Sequence, residues 1–137
     1  MERTSFEKLR VYQLSEKLAD EIWDVVGAWD YFAKDTVGKQ MVRAADSIGA
    51  NIAEGMGRGT GPDDHRFVRT ARGSLNETKH WLRRAYKRNL LSEPTVGRLR
   101  PIIDELSPKL NAYLRSITER SERRRAKSSS RSNHESQ

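Results

Sequence analysis

Apolar residues recur three and four positions apart in four stretches of this chain, separated by short polar breaks. That spacing predicts amphipathic helices. The first runs from about Phe6 to Phe32, with Val11, Leu14, Leu18, Ile22, Val25, Trp29 and Phe32 on one stripe. The second runs from about Thr36 to Glu54, through Val37, Met41, Ala44, Ile48 and Ile52. The third covers about Asp63 to Asn89, through Val68, Ala71, Leu75, Thr78, Leu82 and Ala85. The fourth covers about Ser92 to Arg120, through Val96, Leu99, Ile103, Leu106, Leu110, Tyr113 and Ile117. No stretch alternates with period two, so no sheet is expected.

The breaks carry helix-start chemistry. Asp35 suits an N-cap, Pro62 a first helical position, and Ser92 with Pro94 opens the fourth segment. Short connections make neighbouring helices antiparallel. The expected fold is all-α, an up-down-up-down four-helix bundle over residues 1–118. Pro101 and Pro108 each cost about 3 kcal/mol inside a helix, so a kink or a later helix start is expected there. Beyond Thr118 the chain reads "ERSERRRAKSSSRSNHESQ". Residues 119–137 bury too little to offset their ordering entropy and are read as a disordered basic tail.

From Ala44 to Pro62, "AADSIGANIAEGMGRGTGP" carries the end of the second segment into a glycine-rich loop and raises a choice. A Walker loop needs G-x-x-x-x-G-K-[ST], and no lysine follows these glycines. A dinucleotide fingerprint needs a preceding strand, and a helix precedes here. Arg58 beside the start of the third helix leaves a looser anion site open. The structural alternative explains more residues. Small side chains let another backbone approach, and Gly55 suits a left-handed helix end. Glu54 at that end opposes the macrodipole and requires a partner, Arg43 or Arg58. Arg43, Asn51, Glu54 and Gly55 are therefore read as a polar clasp.

"QMVRAADSIGANIAEGMGR", "ARGSLNET" and the opening "FEKLRVYQLSEKLA" together resemble a four-helix-bundle family. It is the family of proteins encoded in intervening sequences of bacterial 23S ribosomal RNA genes, also labelled S23 ribosomal protein. The resemblance spans roughly residues 5–118. It implies an antiparallel bundle that assembles into a homopentameric ring with a basic surface suspected of binding nucleic acid. The family is similar in fold to accessory proteins of diversity-generating retroelements, which associate with a reverse transcriptase and RNA. It implies no enzymatic activity. The two prolines and the arginine tail depart from the family pattern.

Charge sharpens this picture. The chain carries 26 Lys and Arg against 19 acids, net +7, with a pI near 10.0. That balance favours a polyanionic partner, RNA or DNA. Between Arg58 and Arg88, nine bases meet three acids, which accounts for +6 of the total. Arg66, Arg69, Arg83, Arg84 and Lys87 fall away from the third segment's apolar stripe, with Asn76 and His80 among them. These residues and Arg58 are the candidate phosphate contacts; a solvated face is the plain alternative. In the tail, Arg120, Arg123, Arg124, Arg125, Lys127 and Arg131 either assist binding or only solubilise.

Tyr12, Trp23 and Val26 lie outside the first core stripe. With Phe67 and Trp81, they are the candidate oligomer interface. Trp81 could instead stack on an unpaired base. Cysteine is absent, and His65, His80 and His134 form no zinc spacing. Glu77 and His80 give one E-x-x-H without a second copy, so no di-iron site is expected. No cofactor, metal or catalytic residue is expected. The N-terminus lacks the apolar core of a signal peptide, and no run is long enough to cross a membrane, so the reading is cytoplasmic. A reverse transcriptase docked on the basic surface is the competing partner.

Overall fold

The computed structural model describes residues 6–57 and 62–135, with side chains over 10–56 and 64–130. Its helices are α1 (Phe6–Gly27), α2 (Tyr31–Ala33), α3 (Lys39–Gly57), α4 (Pro62–Lys87) and α5 (Glu93–Glu135). A π-helical turn, Lys34–Gly38, joins α2 to α3. No strand occurs among the described residues. Helix α1 packs on α3, α3 on α4, α4 on α5, and α5 back on α1. The result is a closed four-cornered bundle in which chain neighbours are also spatial neighbours, as short connections dictate.

The core follows the predicted stripes closely. All six residues named for α4 are buried, as are all five named for the second segment. Tyr113 lies deep between helices, and burial, followed by the charge of Asp64, raises its phenol above the ordinary tyrosine range. Across α1 and α5, Arg10 grips Glu105 through two bonds of 2.6 and 2.7 Å. This arginine is the main reason that the Glu105 carboxyl sits below its usual range.

The largest departure falls at the first connection. Helix α1 stops at Gly27 instead of reaching Phe32. Asp30, not Asp35, caps the short helix α2, accepting from the Ala33 amide at 2.9 Å. Asp35 lies inside the π turn. The break resets the helical phase, so Phe32 is 77% exposed instead of buried. Within α1 the four-residue step from Ile22 reaches Val26. That residue is 7% exposed and belongs to the core, not to an interface.

The other ends match their chemistry. Helix α4 closes with Asn89 in the left-handed region, φ 60°. The Leu90 amide bonds back to the Ala85 carbonyl at 2.9 Å and the Asn89 amide to Tyr86 at 3.1 Å, a Schellman cap. Ser92 caps α5 through the Thr95 amide at 3.3 Å. Trp29 donates its indole N–H to the Leu90 carbonyl at 3.0 Å, tying the α1–α2 and α4–α5 connections together at one end of the bundle.

Helix α5 continues through both prolines. Pro101 and Pro108 are exposed, as are Gly97 and Asp104. Those are the residues whose carbonyls each proline deprives of a donor, and water can reach them. The segment expected to be disordered extends α5 as helix to Glu135. Its premise holds all the same, because beyond Thr118 every described side chain is exposed except a half-buried Ser121. This stretch has no apolar face to pack, so its helix rests on backbone hydrogen bonds alone.

Gly38 marks the tightest approach. A Cβ there would lie 2.6 Å from the Val26 methyl and 3.2 Å from the Ala33 carbonyl. Gly38→Ala is expected to cost about 1–3 kcal/mol by overpacking. A Cβ on Gly73 would meet nothing within 4 Å, so Gly73→Ala is expected to add roughly 0.5–1 kcal/mol. Thermal melting followed by circular dichroism checks both signs.

Candidate nucleic-acid interface

Helix α4 divides cleanly. One side buries Val68, Ala71, Leu75, Thr78, Leu82 and Ala85. On the opposite side Arg66, Arg69, Asn76, His80, Arg83 and Lys87 are exposed, and Arg84 is half-buried. Arg84 and Lys87 sit in the last turn, where the macrodipole favours cations. Lys79 turns inward instead and donates to Ser107 on α5 at 2.7 Å. Arg66 lies over the Phe67 ring at 5.2 Å. Arg58 is outside the described residues.

The ion pairs fall elsewhere. Arg10 and Lys109 share Glu105, and Arg98 meets Glu21 at 3.5 Å. Among the described residues, no carboxylate pairs with Arg69, Arg72, Arg83, Arg84, Lys87 or Arg115. The positive charge of α4 is therefore available to a ligand.

Two open grooves follow the α4–α5 seam. One, of about 320 Å³, lies near the C-terminal end of α4. Leu82, Leu91, Val96 and Ile103 form its apolar floor, and Arg83, Tyr86, Arg100 and Asp104 its rim. Val96 and Ile103, read as core, are only half-buried because they open into it. The other, of about 470 Å³, gathers Arg69, Arg72 and Arg115, with Glu119 and Glu122 on its α5 side. There Thr118 donates to the Leu114 carbonyl at 2.9 Å, so its oxygen accepts from His65 Nε2–H, also at 2.9 Å. Arg72, Arg100 and Arg115 escaped the sequence reading. The first continues the three-residue step from Arg69; the other two join only through helix packing.

The opposite wall, between α1 and α3, carries the reverse sign. Its groove of about 220 Å³ is lined by Glu16, Asp20 and Asp46 among small residues, and no basic residue lines it. Gly49 faces α1 there, and a Cβ on it would meet Ser15 Cβ at 3.6 Å, an ordinary contact. Burial, then the charge of Asp20, raises the Asp46 carboxyl above its ordinary range.

The clasp is rearranged. Asn51 donates to the Ser47 carbonyl at 2.8 Å and to its hydroxyl at 3.0 Å, and Ser74 on α4 bonds that hydroxyl at 3.0 Å. The polar link between α3 and α4 is thus Ser47–Ser74, braced by Asn51. Arg43 stands three turns from Glu54, roughly 16 Å of rise, too far to be its partner. Gly55 lies within α3 rather than at a left-handed end. A Cβ there would come within 2.9 Å of the buried Asp64 carboxylate, so close approach explains the glycine.

The proposed interface aromatics also separate. Trp23 is 65% exposed. Tyr12 and Trp81 pack partly against the core, and Phe67 is half-buried. Trp81 donates weakly to Glu77 at 3.4 Å and meets His80 edge-on. Tyr31 and Phe32, 79% and 77% exposed, were missed as surface aromatics because the periodic pattern ran through the helix break. No cluster of three metal-ligating side chains occurs among the described residues. No described helix is long and apolar enough to cross a membrane.

Helix order, closed packing and a one-sided basic helix define a four-helix-bundle protein. The sequence profile of the family described as 23S rRNA-intervening sequence protein matches residues 7–112. The chain belongs to that family. It is similar in fold to a crystallised protein of unknown function from the S23 ribosomal protein family of Bacteroides thetaiotaomicron VPI-5482. The two share 21% identity and a TM-score of 0.70 over 80% of this chain and 99% of the other. No curated protein matches the chain.

The raised Asp46 carboxyl has a sign. A folded value above the unfolded one means that the fold favours the protonated acid, so the charged form costs stability as pH rises through the carboxylate range. Asp46→Asn is expected to raise the melting temperature slightly at pH 7. The gain should vanish below about pH 3, where the native acid is protonated too. Melts at the two pH values check it.

Proposed function

We propose that the protein is a non-catalytic, homo-oligomeric, cytoplasmic bundle that binds nucleic acid through the basic side of α4. The observation that carries this reading is the row of guanidinium and ammonium groups without carboxylate partners. Arg69, Arg84 and Lys87 project along one helix, with Arg83 and Arg72 turned towards the seam with α5. Such a row neutralises several phosphates at once and releases their counterions. The family's link to ribosomal RNA genes favours RNA over DNA. The exposed helical extension of α5 supplies Arg120, Arg123, Arg124, Arg125 and Lys127 as an auxiliary arm.

Exposed Trp23, Tyr31 and Phe32 support self-association, since a monomer gains nothing from wet aromatic rings. The resemblance favours a homopentameric ring. The same rings favour a second reading, an accessory scaffold that docks a nucleic-acid enzyme such as a reverse transcriptase.

Two measurements test the proposal. Wild-type protein should bind a single-stranded RNA with affinity that falls steeply with salt. Arg69→Glu, Arg84→Glu and Lys87→Glu together should abolish most binding and flatten the log–log salt slope by about 2 to 3. Unchanged affinity in the triple variant would remove α4 from the site. In light scattering, Trp23→Ser with Phe32→Ser should lower the mass of the assembly.

A further inference from the structure

The bundle has two unlike walls. The α1–α3 wall holds the acidic groove of Glu16, Asp20 and Asp46. Trp23 follows Tyr12, Glu16 and Ala19 at helical spacing, so it continues the line of residues that face that groove. The α4–α5 wall holds the apolar groove rimmed by Arg83 and Arg100. Because the helices pack in the order α1, α3, α4, α5, these walls lie on opposite sides of the molecule.

Both features also stand at the same end. Trp23 is one turn from the end of α1, and the apolar groove flanks the last turn of α4. The Trp29–Leu90 hydrogen bond joins the connections at that end. A ring-shaped apolar side chain beside carboxylates on one wall therefore stands level with an apolar groove beside guanidiniums on the other.

From this placement we infer that the α1–α3 wall of one copy docks on the α4–α5 wall of the next, with Trp23 seated in the Leu82–Val96–Ile103 groove. The inference rests on the oligomeric reading above and names its two surfaces. Glu16 and Asp20 meet Arg83 and Arg100, neither of which forms an ion pair among the described residues. The contact relieves the acid–acid repulsion recorded at Asp46. It is heterologous, since different patches meet, so each copy offers one wall to each of two neighbours, and the level placement sets successive bundles side by side without a step along the helix axes. Arg69, Arg84 and Lys87 lie away from the apolar groove and stay available to phosphates.

Light scattering on the full chain tests it, with circular dichroism to verify folding, since every altered residue lies on the surface. Arg83→Glu with Arg100→Glu should reduce the wild-type assembly to monomer. Glu16→Arg with Asp20→Arg should do the same. All four changes in one chain should restore the wild-type mass, and mixing the two double variants should return assembly, in which the two alternate. Assembly that persists in both double variants would overturn the wall pairing while leaving self-association intact. A wild-type monomer at all concentrations would overturn self-association itself. A groove variant that keeps its mass but loses RNA would assign the groove to nucleic acid and overturn the pairing.

Discussion

Close contact between α3 and α4 is the constraint on which the molecule depends. It is possible because α3 places Gly55 where a Cβ would come within 2.9 Å of the Asp64 carboxylate and 3.4 Å of the Phe67 Cβ on α4. Small residues bring the backbones together, and the Ser47–Ser74 bond fixes the pair in rotation. Rotation matters because α4 has a narrow apolar stripe. Turning it by one residue would bury Arg69 or Arg83 and expose Leu75. The basic side thus faces outward as a consequence of how α3 is packed, and any ligand of that side depends on the same packing.

Charge is separated by helix pair more than by residue. The α1–α3 wall collects carboxylates around small side chains; the α4–α5 wall collects guanidiniums around an apolar floor. Asp46 is held above the usual carboxylate range by burial first and by the neighbouring charge of Asp20 second, so like charge on this wall adds a smaller cost. Partners of opposite sign offset the cost, whether a polyanion or another copy.

Much of this was legible in the chain itself. For α4 the three-and-four spacing named every buried apolar position, because a straight helix keeps its phase over its whole length, and it passed over the buried polar Asp64 and Ser74. The same periodicity misled at residues 25–32, where the helix ends and the phase restarts. Phe32 consequently moved from core to surface, and Val26 from surface to core. The basic stripe of α4 was readable for the same reason as its core. Arg100 and Arg115 were not, since they join the site only when α5 lies alongside, a long-range fact that no local spacing encodes. Gly55 was recognised as special for the wrong reason: a glycine spared for a neighbour's carboxylate looks, in sequence, like one spared for a turn.

Helix α5 is 43 residues long and α4 is 26. At 1.5 Å per residue, the first spans roughly 65 Å and the second roughly 39 Å. The difference is a bare rod that leaves the body of the protein with arginine or lysine in nearly every turn. A rod of that kind sweeps a capture radius well beyond the bundle and offers trypsin a row of unshielded cut sites. Limited digestion would shear it away and leave a compact core particle behind.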